Sequence, residues 1–181
     1  NIFREYFKTK WLLRGKSNND ILNQSEMRDD EKLGAMRILN VIFAYAFFAR
    51  PEYIAILATK GVQLTMEYGL SASSAPLFAA YAVVLCSSIS TMGDGYRFGK
   101  FSLQILEKFK INAWIPRVNT FMYSLVAFWR DPIQGCIQPL YDGYKIGLVT
   151  GDIEFAYMSV AMYSFTTLFA GKPLPKFLEE M

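Results

Sequence analysis

The residue types that most often carry out chemistry are scarce in this chain. Its 181 residues include no histidine, which removes the commonest general base, the commonest metal ligand and the usual partner of a nucleophilic serine or cysteine. Cys86 and Cys136 each lie within an apolar stretch, where cysteine usually behaves as a small buried hydrophobe. The acidic run 29–31 has no matching cluster elsewhere, so we expect it to cap a helix. We therefore predict no catalytic, cofactor-binding or metal-binding residue.

A glycine-containing segment, Gly93–Gly99, invites comparison with phosphate-binding loops. The dinucleotide fingerprint needs a preceding strand and a different glycine spacing, and the P-loop motif is absent. We expect a tight turn at Met92–Gly95 and a close helix contact at Gly99. No nucleotide site is predicted.

Apolar segments and segments with a charged stripe repeat along the chain at intervals of about 40 residues. This interval is close to the length of a helix pair in known helical repeats. Pro76 and Pro116 each open an apolar segment, and segments with a charged stripe alternate with them. The spacing predicts an all-α fold, a tetratricopeptide-like α-α superhelix (solenoid) of about seven helices. No stretch alternates with a period of two for long enough to indicate strands.

The expected organisation is a short N-terminal helix and turn over 1–29, followed by a helical-repeat array over 30–181. We expect the chain to be a piece of a longer protein and each charged stripe, such as that of Lys60, Gln63 and Glu67, to face solvent. The predicted helices cover approximately 30–50, 51–68, 73–91, 94–110 and 116–129, then one from 131–132 to the turn at 150–152, and one over 151–170.

Composition further narrows the classes of partner and the cellular location that the sequence favours. The chain is 52% hydrophobic with a net charge of +3 and has no basic run, so a nucleic-acid partner is not expected. Without a signal peptide or a disulfide framework, the sequence favours a cytoplasmic location. Most aromatic residues at helical spacing are expected in the core, whereas Tyr53, Phe128 and Trp129 are candidates to line a groove for a partner.

Two alternatives remain open. The uncharged stretch Gly69–Gly93 is long enough to span a bilayer, and Phe155–Gly171 approaches that length, so a small polytopic membrane protein is one alternative. The serine content of the first stretch and the polar stripes on every second helix favour a buried helix in a soluble stack. A helical carrier of a small ligand, with a closed aromatic pocket, is the other alternative.

An ordered set of short segments resembles a known type of protein region. The segments, in chain order, are Trp11–Lys16, Ser25–Asp29, Ala35–Leu39, Tyr68–Ala75, Gly95–Lys100, Val126–Trp129 and Gly143–Asp152. Together they resemble the helical region that follows the AAA-type ATPase module in large multi-sensor signalling proteins. Those proteins combine a Ser/Thr-kinase-like domain, the ATPase, this tetratricopeptide-like region, GAF domains and often a histidine kinase.

The resemblance covers nearly the whole chain and departs from the family pattern at Gln24–Glu26, where family members tend to have Leu-Pro before the methionine. It implies a non-catalytic protein-interaction or regulatory segment of a signal-transduction kinase. Its partners would be neighbouring domains of the same chain or another protein. The kinase, ATPase and sensor motifs are absent from this sequence, so none of their catalytic residues is carried over.

Overall fold

The structure, a computed structural model, describes residues 2–88 and 91–173. The chain divides into two compact units: unit 1 contains the described residues up to Ile111, and unit 2 those from Asn112 onward. Regular structure in both described ranges is helical, apart from one isolated parallel bridge between Glu26 and Leu70. The predicted all-α class is therefore confirmed, whereas the predicted division at residue 29 stays a prediction.

The α-helices of unit 1 are α1 (Ile2–Leu13), α2 (Asn18–Leu22), α3 (Asp30–Ala49), α4 (Ile54–Tyr68), α5 (Ser74–Ser88) and α6 (Met92–Phe109). Those of unit 2 are α7 (Ile115–Phe121), α8 (Gln134–Thr150) and α9 (Ile153–Phe169). A 3₁₀ turn, Pro51–Tyr53, precedes α4, and α7 continues into a π turn, Met122–Val126, and a 3₁₀ turn, Ala127–Trp129. The helices predicted between residues 30 and 170 correspond to α3–α9.

Local sequence signals set several helix ends. The Asp29 carboxylate accepts hydrogen bonds from the backbone N–H groups of Glu31 and Lys32, at 3.0 and 3.2 Å, so the predicted acidic cap of α3 is confirmed. Gly69 ends α4 as its C-cap with a φ of 107°, a backbone conformation that glycine adopts more readily than other residues. Gly151 ends α8 in the left-handed region.

Three local predictions were wrong. Met92–Gly95 does not form a separate turn, because α6 begins at Met92. The sixth predicted helix begins at Gln134 and not at the Asp131–Pro132 pair. Helix α2 was missed, because residues 1–29 were expected to contain one short helix and a turn; a capping box between Ser17 and Asp20 starts this second helix.

The helix predicted over 116–129 is interrupted. Helix α7 ends at Phe121 and gives way to the π turn. The hydroxyls of Thr120 and Ser124 each donate to the carbonyl four residues earlier. The same type of bond occurs at Thr59 and Thr65 in the uninterrupted helix α4, so it does not by itself explain the π turn. The predicted helix over 73–91 includes residues 89–90, and the predicted array over 30–181 includes residues 174–181. These residues lie outside the described ranges.

Helix α5 forms the centre of unit 1. Phe78, Ala79, Ala80 and Ala82 have no solvent exposure, because α3, α4 and α6 all pack against this helix. The close approach of α4 depends on Gly61, where a Cβ atom would lie 2.5 Å from the Leu77 side chain. The interpretation of this uncharged stretch as a buried helix is confirmed for α5.

Unit 2 is held by a close helix pair and an enclosed ion pair. Gly143 and Gly147 let α8 approach α9, since a Cβ atom at Gly147 would lie 2.7 Å from the Ala156 side chain. Arg117 Nε donates to Asp152 Oδ2 at 2.7 Å, and the two side chains are only 14% and 12% exposed. This pair joins α7 to the α8–α9 connection.

The close fit at the end of α4 yields a stability prediction. Gly69→Ala should lower the free energy of unfolding by about 1–3 kcal/mol. The reason is that its φ is positive and its new Cβ would lie 2.5 Å from the Ser25 carbonyl oxygen. Urea unfolding followed by circular dichroism measures the change.

Gly34→Ala is the matched control, because Gly34 lies inside α3. Apart from its chain neighbours and its own helix backbone, no heavy atom would lie within 4 Å of a Cβ atom added there. It should be neutral or stabilise the chain by up to about 1 kcal/mol. Equal destabilisation by the two substitutions would contradict this account of the α4 terminus.

Candidate interaction surfaces

The polar stripe of α4 is covered by α1. Gln63, predicted to face solvent, is only 2% exposed. Its Nε2 donates to the Glu5 carbonyl and carboxylate oxygens, both at 3.1 Å, and to Thr9 Oγ1 at 2.9 Å. The prediction of a solvated stripe was wrong for Gln63, because an amphipathic helix from the N-terminal segment supplies the partners that water was expected to supply.

Ion pairs flank this buried amide. Lys60 Nζ lies 2.8 Å from Glu5 Oε2, and Lys8 Nζ lies 2.8 Å from Glu67 Oε1. The pKa of Glu5 is lowered below its ordinary value of 4.5. The hydrogen bond from Lys60 makes the largest contribution, and the hydrogen bond from Gln63 makes the next largest. The contacts of α1 with α4 thus include a polar cluster that favours the charged form of Glu5.

The opposite face of α1 has a different character. We name it the aromatic–cationic face; Glu5, the acidic residue of α1, points away from it toward α4. Its three aromatic side chains are 64–72% exposed, and its cationic side chains are exposed as well. The residues of this face are Phe3, Arg4, Phe7, Lys10, Trp11 and Arg14.

A cavity of about 640 Å³ separates one edge of this face from α5 and α6. We call it the α1–α6 groove. Arg97 of α6 closes one end, donating from Nε to Asn18 Oδ1 at 2.7 Å and from Nη2 to the Lys16 carbonyl at 2.6 Å. Tyr81 is nearly inaccessible at its base, and this burial raises the pKa of its hydroxyl. The groove therefore has a rigid apolar base and a charged rim.

Helix α3 carries a second exposed apolar face. Its five large side chains are 45–70% exposed and recur at helical spacing: Ile38, Val41, Ile42, Tyr45 and Phe48. Between this face and α4 lies a groove of about 310 Å³ that Tyr53 helps to line. Surfaces of this kind mark contacts with another apolar surface.

Helix α3 also satisfies length and composition criteria for a membrane span. It is the one helix in the described ranges to do so, with a mean hydropathy of 1.4 over a window of which 28% is buried. Core helices of soluble proteins and signal sequences pass the same test, so the finding is weak evidence for a bilayer location.

The other predicted groove residues lie in unit 2. Phe128 is 40% exposed and lines a groove of about 310 Å³ with α9 residues such as Phe165 and Phe169. The Trp129 ring contacts that of Phe128 with centroids 4.7 Å apart. Tyr53 belongs to unit 1, so the predicted residues are divided between the units, and their shared role stays a prediction.

Sequence reasoning missed the aromatic–cationic face, although a signal was present. Phe3, Phe7 and Trp11 recur every four residues, and the sequence analysis expects most aromatic residues at helical spacing to lie in the core. The intervening cations Arg4, Lys10 and Arg14 were the available clue, because a helix face that carries several cations among its aromatic residues favours contact with solvent.

Comparison with protein-family models, curated proteins and solved structures finds no match to the chain. The resemblance to the helical region of multi-sensor kinases stays a prediction. Within the parts of the chain that the structure describes, no group of three histidine, cysteine, aspartate or glutamate residues is placed to hold a metal ion.

The lowered pKa of Glu5 predicts how the α1–α4 interface responds to acid. Its contribution to stability is present above the ordinary pKa of 4.5 and is lost as the pH falls through the lower pKa of the folded state. Glu5→Gln should therefore destabilise the chain more at about pH 6 than at about pH 3. Urea unfolding at both pH values measures the difference.

Glu107→Gln serves as the control, since Glu107 is an exposed residue of α6. Its effect on unfolding should be small at both pH values. A Glu5→Gln effect that stayed constant with pH would show that the ionised carboxylate does not hold α1 on α4.

Proposed function

We propose that the chain is a non-catalytic protein-interaction and regulatory segment, built as a tetratricopeptide-like helical array within a larger signalling kinase that contains an ATPase module. Support comes from the order of packing. In unit 1, α3 packs on α4, α4 on α5 and α5 on α6; in unit 2, α7 packs on α8 and α8 on α9. Packing between successive helices is the pattern expected of stacked α-hairpins.

The observation that carries this proposal is the exposure of large apolar side chains along whole helix faces. On α3, Tyr45 and Phe48 are 70% and 62% exposed; on α9, Phe165 and Phe169 are 57% and 79% exposed. A contiguous apolar face is unfavourable in water and is typically covered by a partner. The proposed partners are neighbouring domains of the same chain or another protein with an apolar contact surface.

The grooves also weigh against a carrier of a small enclosed ligand. The α1–α6 groove is bordered by Phe7 and Trp11, which are 64% and 72% exposed. A carrier would bury most of its ligand's surface. An open groove with exposed aromatic rims favours contact with a macromolecule.

A photo-crosslinking experiment tests the proposed use of the α3 face. Benzoylphenylalanine placed at Tyr45 in cells should crosslink to a protein partner, whereas the same group at the exposed control position Glu107 should not. The purified partner should then bind the chain, and Ile38→Ser with Phe48→Ser should weaken that binding by about tenfold or more. Crosslinks to lipid alone, or none from Tyr45, would contradict the proposal.

A membrane-embedded α3 is the second candidate, favoured by the hydropathy of this helix. Val41→Lys with Tyr45→Lys distinguishes the two. Both side chains are exposed, at 51% and 70%, so in the proposed array the pair should leave unfolding midpoints nearly unchanged. In a bilayer, each central lysine would cost about 2.5–3.5 kcal/mol.

Cell fractionation provides the readout. The expressed chain and its double-lysine variant should both remain in the high-speed supernatant without detergent. If the unsubstituted chain needs detergent to leave the membrane pellet and the lysine variant does not insert, the bilayer function replaces the proposed one.

A further inference from the structure

The rim of the α1–α6 groove carries an excess of positive charge. Three cations, Lys10, Arg14 and Arg97, line it with a single carboxylate, Asp94. Arg97 is fixed by its bonds to the α1–α2 connection. In the described ranges, Lys10 and Arg14 enter none of the ion pairs that join other charged residues. Two cations at the α1 edge are therefore available to an external carboxylate.

The base of the same groove is apolar and preformed. Leu85, Tyr81 and Phe98 are at most 4% exposed. The ring of Phe98 packs against that of Phe78 in α5, with ring centroids 5.8 Å apart. Trp11 lies at the edge, 72% exposed. An apolar side chain entering here would contact the exposed rings of Phe7 and Trp11 above a base that is already packed.

We propose that the α1–α6 groove binds an acidic peptide segment that places an apolar anchor residue against the Leu85–Phe98 base and carboxylates near Lys10 and Arg14. This inference rests on the proposed interaction function and names the chemistry of the partner. Because the rim of the groove is positively charged, the partner should be acidic. Because the base of the groove is apolar, the partner should also carry an apolar anchor residue.

The concave shape favours a peptide over an anionic membrane. A cavity of about 640 Å³ accommodates a few side chains, whereas a flat bilayer surface would meet the projecting Phe3, Phe7 and Trp11 side chains and leave the base empty. Binding to the base is therefore the property that separates the two partners.

Fluorescence anisotropy with labelled synthetic peptides tests the inference on the whole chain. The probe is a twelve-residue peptide of alternating glutamate and leucine; one comparison peptide has lysine for glutamate, and another has serine for leucine. The glutamate–leucine peptide should bind, and each comparison peptide should bind about tenfold more weakly or not at all. Binding should also weaken as salt increases.

Charge-reversal variants locate the site. Lys10→Glu with Arg14→Glu should weaken binding of the glutamate–leucine peptide by about tenfold. The control, Arg28→Glu with Arg37→Glu, makes the same change in net charge at exposed positions that do not line the groove. It should alter the affinity by less than about twofold. Circular dichroism checks the fold, and Lys10→Gln with Arg14→Gln replaces the reversal if that variant is unfolded.

Three results would overturn the inference: no binding of the glutamate–leucine peptide, an equal loss in both charge-reversal variants, or binding only to vesicles of phosphatidylcholine with phosphatidylserine. The first two leave the crosslinking result at Tyr45 untouched, so failure of the groove and failure of the proposed function are distinguishable.

Discussion

Helix α5 has no polar face, and unit 1 is organised by the need to cover it on every side. Phe78 and Ala80 have no exposure, so α3, α4 and α6 must approach closely enough to exclude water. Gly61 on α4 and Gly95 on α6 provide that approach, since a side chain at either position would clash with α5. The small residues of the covering helices are therefore as important to the fold as the large residues of the covered one.

The covering of α5 has a consequence for α4, which is left with a polar stripe on another face. Helix α1 meets that stripe through its own polar side, with Glu5 and Thr9 satisfying Gln63. Burying the polar side of an amphipathic helix leaves its aromatic side in water. The exposed Phe7 and Trp11 are thus a direct result of how α1 is attached, and this attachment creates the α1–α6 groove.

Short-range signals explain which parts of the fold were predictable. The Asp29 cap and the Gly69 terminus are local events, because each depends on bonds or dihedral angles within a few residues. The uncharged character of α5 likewise identified a helix that must be buried. The π turn after α7 was not predictable in this way, because the hydroxyl of Thr120 is shared between its own helix and Ser159 across unit 2.

The sequence by itself determined the all-α class, the approximate limits of α3–α6, α8 and α9, and the lack of histidine-based chemistry. Only the tertiary structure decided which helix faces are covered. Gln63 is buried because α1 lies on it, and Tyr53 and Phe128 belong to different units because packing divides the chain between them. Helical periodicity indicates whether a helix face is polar or apolar. The surface that covers this face, however, is formed by residues distant in sequence. For this reason the surfaces that carry the proposed function emerged from packing and not from pattern.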